Sequence, residues 1–337
     1  MYLVSDIPQS LFRFRPLEEG PVLDRELAAL RDSYLWSPHF SDMNDPMEAH
    51  YELGDASDIL LELIAPGSTA KLQKLYEQVS SIFKSLCLIS FGTTHSNPAM
   101  WAYYGSNHRG MCLEFDQSLL GLGDLRGEKL VPVTYSNDPL PKLSFLTLDG
   151  MSLERMTSYV SHKRLEWSHE EEWRFVTGSN GPKHYFDDAL RRVYIGSRAD
   201  SAHIDKILQS RKGRPVEVLI GKVVGKSMQF EVAQQATAIE KCERVGSGIF
   251  NPDQILTYAE ENLRKFLSVS YDELLAECHR TIKHPNVHEI QAIDLAVSDP
   301  ERIYFWTLYK LRSGRDIYDR RYFDRSMRFI GRDIPKL

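Results

Sequence analysis

The stretch from Leu86 to Phe115 constrains the fold more tightly than any other part of the chain. Leu86–Phe91 (LCLISF) and Met111–Phe115 (MCLEF) are near-continuous apolar runs of strand length. Such runs, unlike alternating ones, belong to strands covered on both faces. Between them, SNPAMWAYYGSN reads as a short helix over Asn97–Asn107, with Asn97 as its cap and Pro98 in its first turn. Strand, helix and strand this close together require a layered α/β architecture, with helices supplying the cover the strands need.

The rest of the chain extends this pattern. Leu11–Arg15, Tyr34–Ser37, Val131–Tyr135, Glu172–Val176, Arg192–Ile195 and Val216–Ile220 read as further strands, and Val22–Asp32, 152–166 and 200–211 as helices. Beyond about residue 252 the spacing reads as helical to the C-terminus, with acidic starts and basic ends. The expectation is an α+β domain over 1–245 followed by a helical region over 252–337.

At 337 residues, 42% hydrophobic and 26% charged, the chain can bury a sizeable core and lacks the composition of a disordered one. No apolar run approaches the roughly 18 residues of a membrane span, and no signal-peptide pattern opens the sequence. Cys87, Cys112, Cys242 and Cys278 form no CxxC pair, so reduced, buried thiols in a cytoplasmic protein are expected and membrane association is not. The net charge of −6 excludes a polycationic nucleic-acid binder as a whole. Charge is nevertheless uneven, with ten Lys/Arg against five Asp/Glu from Glu301 onward, interleaved with aromatics. Read as a helix, this tail is a candidate nucleic-acid contact.

Familiar motifs fail on inspection. The glycines of GLGDLRG (121–127) have the wrong spacing for a dinucleotide loop, and a strand-like run follows where a helix is required. His284 and His288 are four apart, but Pro285 breaks the helix that would align them on a metal. Glu170, within the polar run HEEE, reads as part of a surface acidic turn.

Four segments carry unusual chemistry. In LFRFR the period of two places Arg13 and Arg15 on one strand face, a fork suited to phosphate, with Phe12 and Phe14 directed inward. LWSPHFSDMNDPME contains the tight turn Asn44-Asp45-Pro46. Trp101, Tyr104 and His108 share a helical stripe that, half-exposed, would stack a base or a nicotinamide. In EWSHEEEWRFV, Glu172 and Arg174 share one strand face, and Glu172 is a candidate electrostatic catalyst. Its plainer reading is a salt bridge to an arginine such as Arg13 or Arg15.

In that order LFRFRPL, LWSPHFSDMNDPME, SFGTTHSNPAMWAYYGSNHRGMCLEFD, SHEEEWRFV and RRVYIGSRA resemble a widespread bacterial family known only as a domain of unknown function. Its members show an FNDP turn, an MW-x-HY helix–strand segment and an E-x-EWR strand. The resemblance covers roughly residues 11–235. Met43 departs from the usual aromatic, and Tyr103 from a common histidine.

The order of motifs is more distantly similar to ADP-ribosyltransferases of the DNA-targeting toxin type. That similarity implies an ADP-ribosyltransferase-like mixed sheet and NAD as substrate. It implies catalytic roles for Glu172 and Arg15, and contacts to NAD from Arg13, Arg15, Asn44, Ser90, Trp101, Tyr104 and His108. It further implies a bacterial toxin or phage-defence effector acting on nucleic acid or protein, with an antitoxin or defence-system partner. Two alternatives stand beside it. One is a metal-dependent nuclease using Asp45, Glu48, Glu114 and Glu172. The other is a sensor that binds a nucleotide without turning it over.

Overall fold

The computed structural model describes residues 7–43, 45, 48, 52, 62–67, 69–120, 129–140, 142, 153–256, 259–296 and 301–333. The chain is a mixed α/β protein that divides into two compact units. One comprises 1–35, 94–125 and 184–337, and the other 36–93 and 126–183. No described helix is long and apolar enough to cross a membrane. All four cysteines are free and buried. The glycine run 121–127 lies outside the described residues.

The first unit is built on a five-stranded sheet in the order Ser10–Arg15, Met111–Asp116, Leu190–Ile195, Glu217–Val224, Ser227–Gln234. Three pairings are antiparallel. The pairing of 190–195 with 217–224 is parallel, and its crossover is the helix Ser201–Arg211. The apolar run of 111–115 explains why Met111–Asp116 is the strand next to the edge, buried through Phe115. The period of two in LFRFR holds: Leu11, Phe12 and Phe14 are buried, while Arg13 and Arg15 are half-buried.

Asn97 caps the short helix, its side chain accepting from the Ala99 and Met100 amides with Pro98 in the first turn. That helix ends at Tyr103, earlier than the spacing suggests. Ser106, Asn107 and His108 then take left-handed backbone conformations, a geometry no helix continues through. Two glycines let this loop pack closely. A Cβ on Gly110 would lie 2.3 Å from the Arg15 carbonyl, and one on Gly196 would lie 2.2 Å from that of His108. The Gly196 amide instead donates to Gly110 O at 2.9 Å, and Arg198 N to His108 O at 2.9 Å. This accounts physically for YIGSR among the ordered motifs.

The C-terminal part corrects the helical expectation. Helices occupy Pro252–Leu256, Glu260–Phe266 and Tyr271–Lys283, but the chain then forms an antiparallel sheet of Val287–Leu295, Ile303–Lys310, Asp316–Phe323 and Phe329–Asp333. The basic C-terminal helix therefore does not exist as such. In IYFWTLYK, Ile303, Phe305, Thr307 and Tyr309 are buried while the residues between them are half-buried. Aromatic and β-branched residues crowd a helix but pack well on a pleated surface. Gly314, at φ 85°, turns the chain between the central strands. Ile290, Ile293, Ile303, Phe305 and Phe323 close a core against Leu263, Phe266, Leu274 and Cys278 of the helices.

The second unit is smaller. Its three-stranded antiparallel sheet places Trp173–Thr177 between Cys87–Phe91 and Lys129–Pro132. The helices Thr69–Ser85 and Leu153–Val160 contribute Val79, Phe83, Tyr159 and Val160 to a core with Phe40, Leu86, Leu88 and Val176.

Candidate functional site

The central strand of the second unit is buried along its whole length, and Arg174 within it is fully buried. A guanidinium there must satisfy its donors locally. Its Nε donates to Glu172 Oε1 at 2.8 Å and its Nη2 to Glu172 Oε2 at 3.1 Å. Its Nη1 donates to the Val160 carbonyl at 2.6 Å, and Nη2 also pairs with Glu48. The strand begins at Trp173, one residue later than the spacing suggests, and Glu172 immediately before it stands two residues from Arg174, close enough for the pair to meet.

A second cation completes the cluster. The short strand His162–Lys163, paired with Thr134–Tyr135, places Lys163, whose Nζ lies 2.8 Å from Glu172 and 3.1 Å from Glu48, and also pairs with Glu170. Among the described residues, three buried carboxylates thus meet two buried cations. Glu170 is therefore not part of a surface turn. The 3-10 turn Leu165–Glu170 rolls it inward, and it is 3% exposed. Of that polar run, Glu171 stays exposed, in a left-handed conformation at φ 46°. The Glu172 amide donates to Tyr135 Oη at 2.8 Å. Burial pushes the Tyr135 phenol up to about 12.

The carboxylates are electrostatically unequal. Burial would raise the Glu172 carboxyl, but Arg174 and Lys163 overcome it and hold the group at about 2. Glu48 shifts the other way. Its burial, with repulsion from Glu172, outweighs the same two cations and raises it above the ordinary range. The difference follows from position: Glu172 accepts hydrogen bonds from both cations, whereas Glu48 accepts one from Arg174 only and lies beside a carboxylate already charged.

Beside the cluster lies Trp167, half-buried, whose ring centroid is 5.6 Å from Lys163 Nζ and whose Nε1 donates to Asp45 Oδ2 at 3.0 Å. Sequence reasoning gives no role to Lys163 or Trp167 and puts Glu170 at the surface. Glu170 and Trp167 stood in the singled-out EWSHEEEWRFV stretch, but only the fold reveals which of its polar residues turn inward.

The other expected site residues fall as follows. Ser90 belongs to the same sheet, in register with Arg174. Asn44 lies outside the described residues. Arg13, Arg15, Trp101, Tyr104 and His108 belong to the first unit. There Arg15 grips Glu26 with two donors, Nε at 2.7 Å and Nη2 closer still, so the salt bridge expected for Glu172 forms with Arg174 and Lys163 instead.

Trp101 is not a half-exposed stacking wall. It is completely buried among Phe12, Phe14, Cys112 and Tyr194, with its Nε1 donating to the His95 carbonyl at 2.7 Å. Tyr104 packs against the edge of the same cluster, and the His108 ring lies nearly parallel to Trp101 at 6.0 Å. Trp101 is core because its buried indole finds a carbonyl partner and bears no uncompensated polar atom, while Tyr104 and His108 stay half-exposed.

Glu114, part of the nuclease alternative, accepts from Tyr194 Oη at 2.7 Å and pairs with Arg192. Among the described residues no three His, Cys, Asp or Glu side chains are grouped so as to hold a metal ion.

Residues 100–175 match the profile of a family described as Protein of unknown function (DUF2971). The matched segment contains Glu114, Lys163, Trp167, Glu170, Glu172 and Arg174. No curated protein and no solved structure matches the chain.

Proposed function

We propose that this protein consumes NAD, breaking the nicotinamide–ribose bond as an ADP-ribosyltransferase or NAD glycohydrolase on an ADP-ribosyltransferase-like scaffold. The observation that carries the reading is the carboxylate pair Glu172 and Glu48, bridged by Lys163 and Arg174 in one buried cluster, with Glu172 lowered and Glu48 raised. Carboxylates pushed apart in this way serve different roles in glycosyl chemistry.

Cleavage passes through an oxocarbenium-like state in which positive charge grows on the ribose C1′. A fixed, charged Glu172 offsets that charge without reorganising. Nicotinamide leaves with the bonding electron pair. Water or an acceptor hydroxyl then attacks C1′ and passes its proton to Glu48, the more basic carboxylate. Trp167 supplies a half-buried aromatic face for a planar ring beside the cluster. The ordered E-x-EWR resemblance supports the same assignment, and an effector role against a macromolecular acceptor is its extension.

The test is release of free nicotinamide from NAD by the purified chain. Glu172→Gln should lower the rate by roughly 100-fold or more, the scale of losing one preorganised charge. Glu170→Gln, which disturbs the same lysine, should leave the rate near wild type and serves as the control for general damage. Circular dichroism on both variants confirms that each is folded. Wild-type protein that releases no nicotinamide above the spontaneous rate, or equal loss in the two variants, would refute the proposal.

A further inference from the structure

A second chemical feature lies within the first unit and is argued independently of Glu172. A cavity of about 510 Å³ opens between the end of helix Tyr271–Lys283, the last two strands and the segment 236–240. Its volume falls within the roughly 300–1,000 Å³ typical of small-molecule sites. Arg321, Arg332 and His284 line it, all three more than nine-tenths buried, together with Asp188, Glu240 and Glu277.

The buried donors among these are incompletely used. Arg332 gives Nη2 to Asp188 and lies 4.3 Å over the Phe186 ring, but its Nε and Nη1 have no partner. Arg321 gives Nε to Asp319 Oδ2 at 3.1 Å, and its Nη2 has none. His284 accepts the Asn286 amide at Nδ1, which puts its ring proton on Nε2. That Nε2 lies 3.3 Å from Asp188 Oδ2 without lining up as a hydrogen bond. Around the cavity, four buried donor atoms of Arg321, Arg332 and His284 outnumber two buried unpartnered acceptors, Asp188 Oδ1 and Asp319 Oδ1.

Buried donors are nearly always satisfied in folded proteins, so an excess of this kind calls for an acceptor-only ligand. Two guanidinium edges from neighbouring strands and an imidazole N–H from the end of helix Tyr271–Lys283 match the several oxygens of a phosphate better than the two of a carboxylate. Leu119, Pro215, Phe323 and Phe329 supply apolar wall, which an inorganic ion would not use.

We infer that this cavity binds the phosphate group of a small phosphorylated compound, seated on Arg321, Arg332 and His284.

The experiment is isothermal titration of the full chain at fixed ionic strength with inorganic phosphate, glycerol phosphate and acetate. Both phosphate compounds should bind and acetate should not. A tighter glycerol phosphate supports an ester as the ligand, whereas equal affinities make free phosphate the ligand and overturn the inference. Arg332→Lys keeps the charge but loses the fork, and should weaken binding about tenfold. If that buried variant does not fold, Ala236→Trp tests the same point from the exposed rim, filling the cavity and abolishing binding. No heat from either phosphate compound at roughly 10 mM, far above a useful site's Kd, would overturn the inference. So would acetate binding as tightly as phosphate, or unchanged binding by Ala236→Trp.

Discussion

Replacing Lys163 by Met tests whether the Glu172 cluster is a dry ionic network. The lysine contacts three carboxylates, Glu172 at 2.8 Å, Glu48 at 3.1 Å and Glu170, and its side chain is 3% exposed. Removal changes the balance from three carboxylates against two cations to three against one. Methionine fills most of the volume, so the cavity contribution is small. Breaking one buried ion pair costs about 3–5 kcal/mol, and the loss should sit near the top of that range because three partners are deprived at once.

Urea unfolding followed by tryptophan fluorescence at pH 7 measures the loss. The pH dependence gives a second reading. In the wild type, the Glu172 carboxyl at about 2 contributes stability above its ordinary value of 4.5. That contribution disappears as pH falls from about 4.5 to about 2. The variant has less of it to lose, so the two stability curves should converge across that window. Glu170→Gln in the Lys163→Met background should recover at least about 1 kcal/mol, the coupling expected of contacting charges. A loss below about 1 kcal/mol at pH 7, the range of exposed pairs, would show that water reaches the cluster and that the field ascribed to Glu172 is screened.

Trp101→Ala should cost about 3–5 kcal/mol in unfolding free energy as a fully buried aromatic, whereas Trp167→Ala should cost under half of that and raise the KM for NAD; a calorimetric scan and nicotinamide kinetics on both variants compare the two rings. Arg15→Ala leaves Glu26, 4% exposed, with only the half-exposed Arg25, and should lower stability by about 1–3 kcal/mol, most strongly above pH 4.5 where Glu26 is charged; an unchanged melting temperature would free Arg15 for a ligand. Burial holds His284 at about 4, below its ordinary 6.5, despite Asp188, so the native state should lose stability as pH falls from about 6.5 to about 4; urea titrations of His284→Gln should show a flatter slope across that interval.

Patterns with a local cause were legible in the sequence. The apolar runs at Leu86–Phe91 and Met111–Phe115 are strands because their residues need cover on both faces. The cap at Asn97, the alternation of Phe12 and Phe14 with Arg13 and Arg15, and the pairing of Glu172 with Arg174 also follow from short-range geometry. Residues 303–310 were misread because dense aromatics satisfy helical and strand spacings at once. The alternating burial that decides between them exists only after Asp316–Phe323 pairs alongside. The burial of Trp101 and the inward turn of Glu170 depend on partners remote in sequence or on a left-handed residue, and no local pattern encodes them. The convergence of Lys163, Glu48 and Glu172 has the same origin, since charge pairing in a core is a property of which segments meet. Composition sets how many carboxylates and cations the chain carries; only the tertiary fold decides which are stripped of water and left to balance one another.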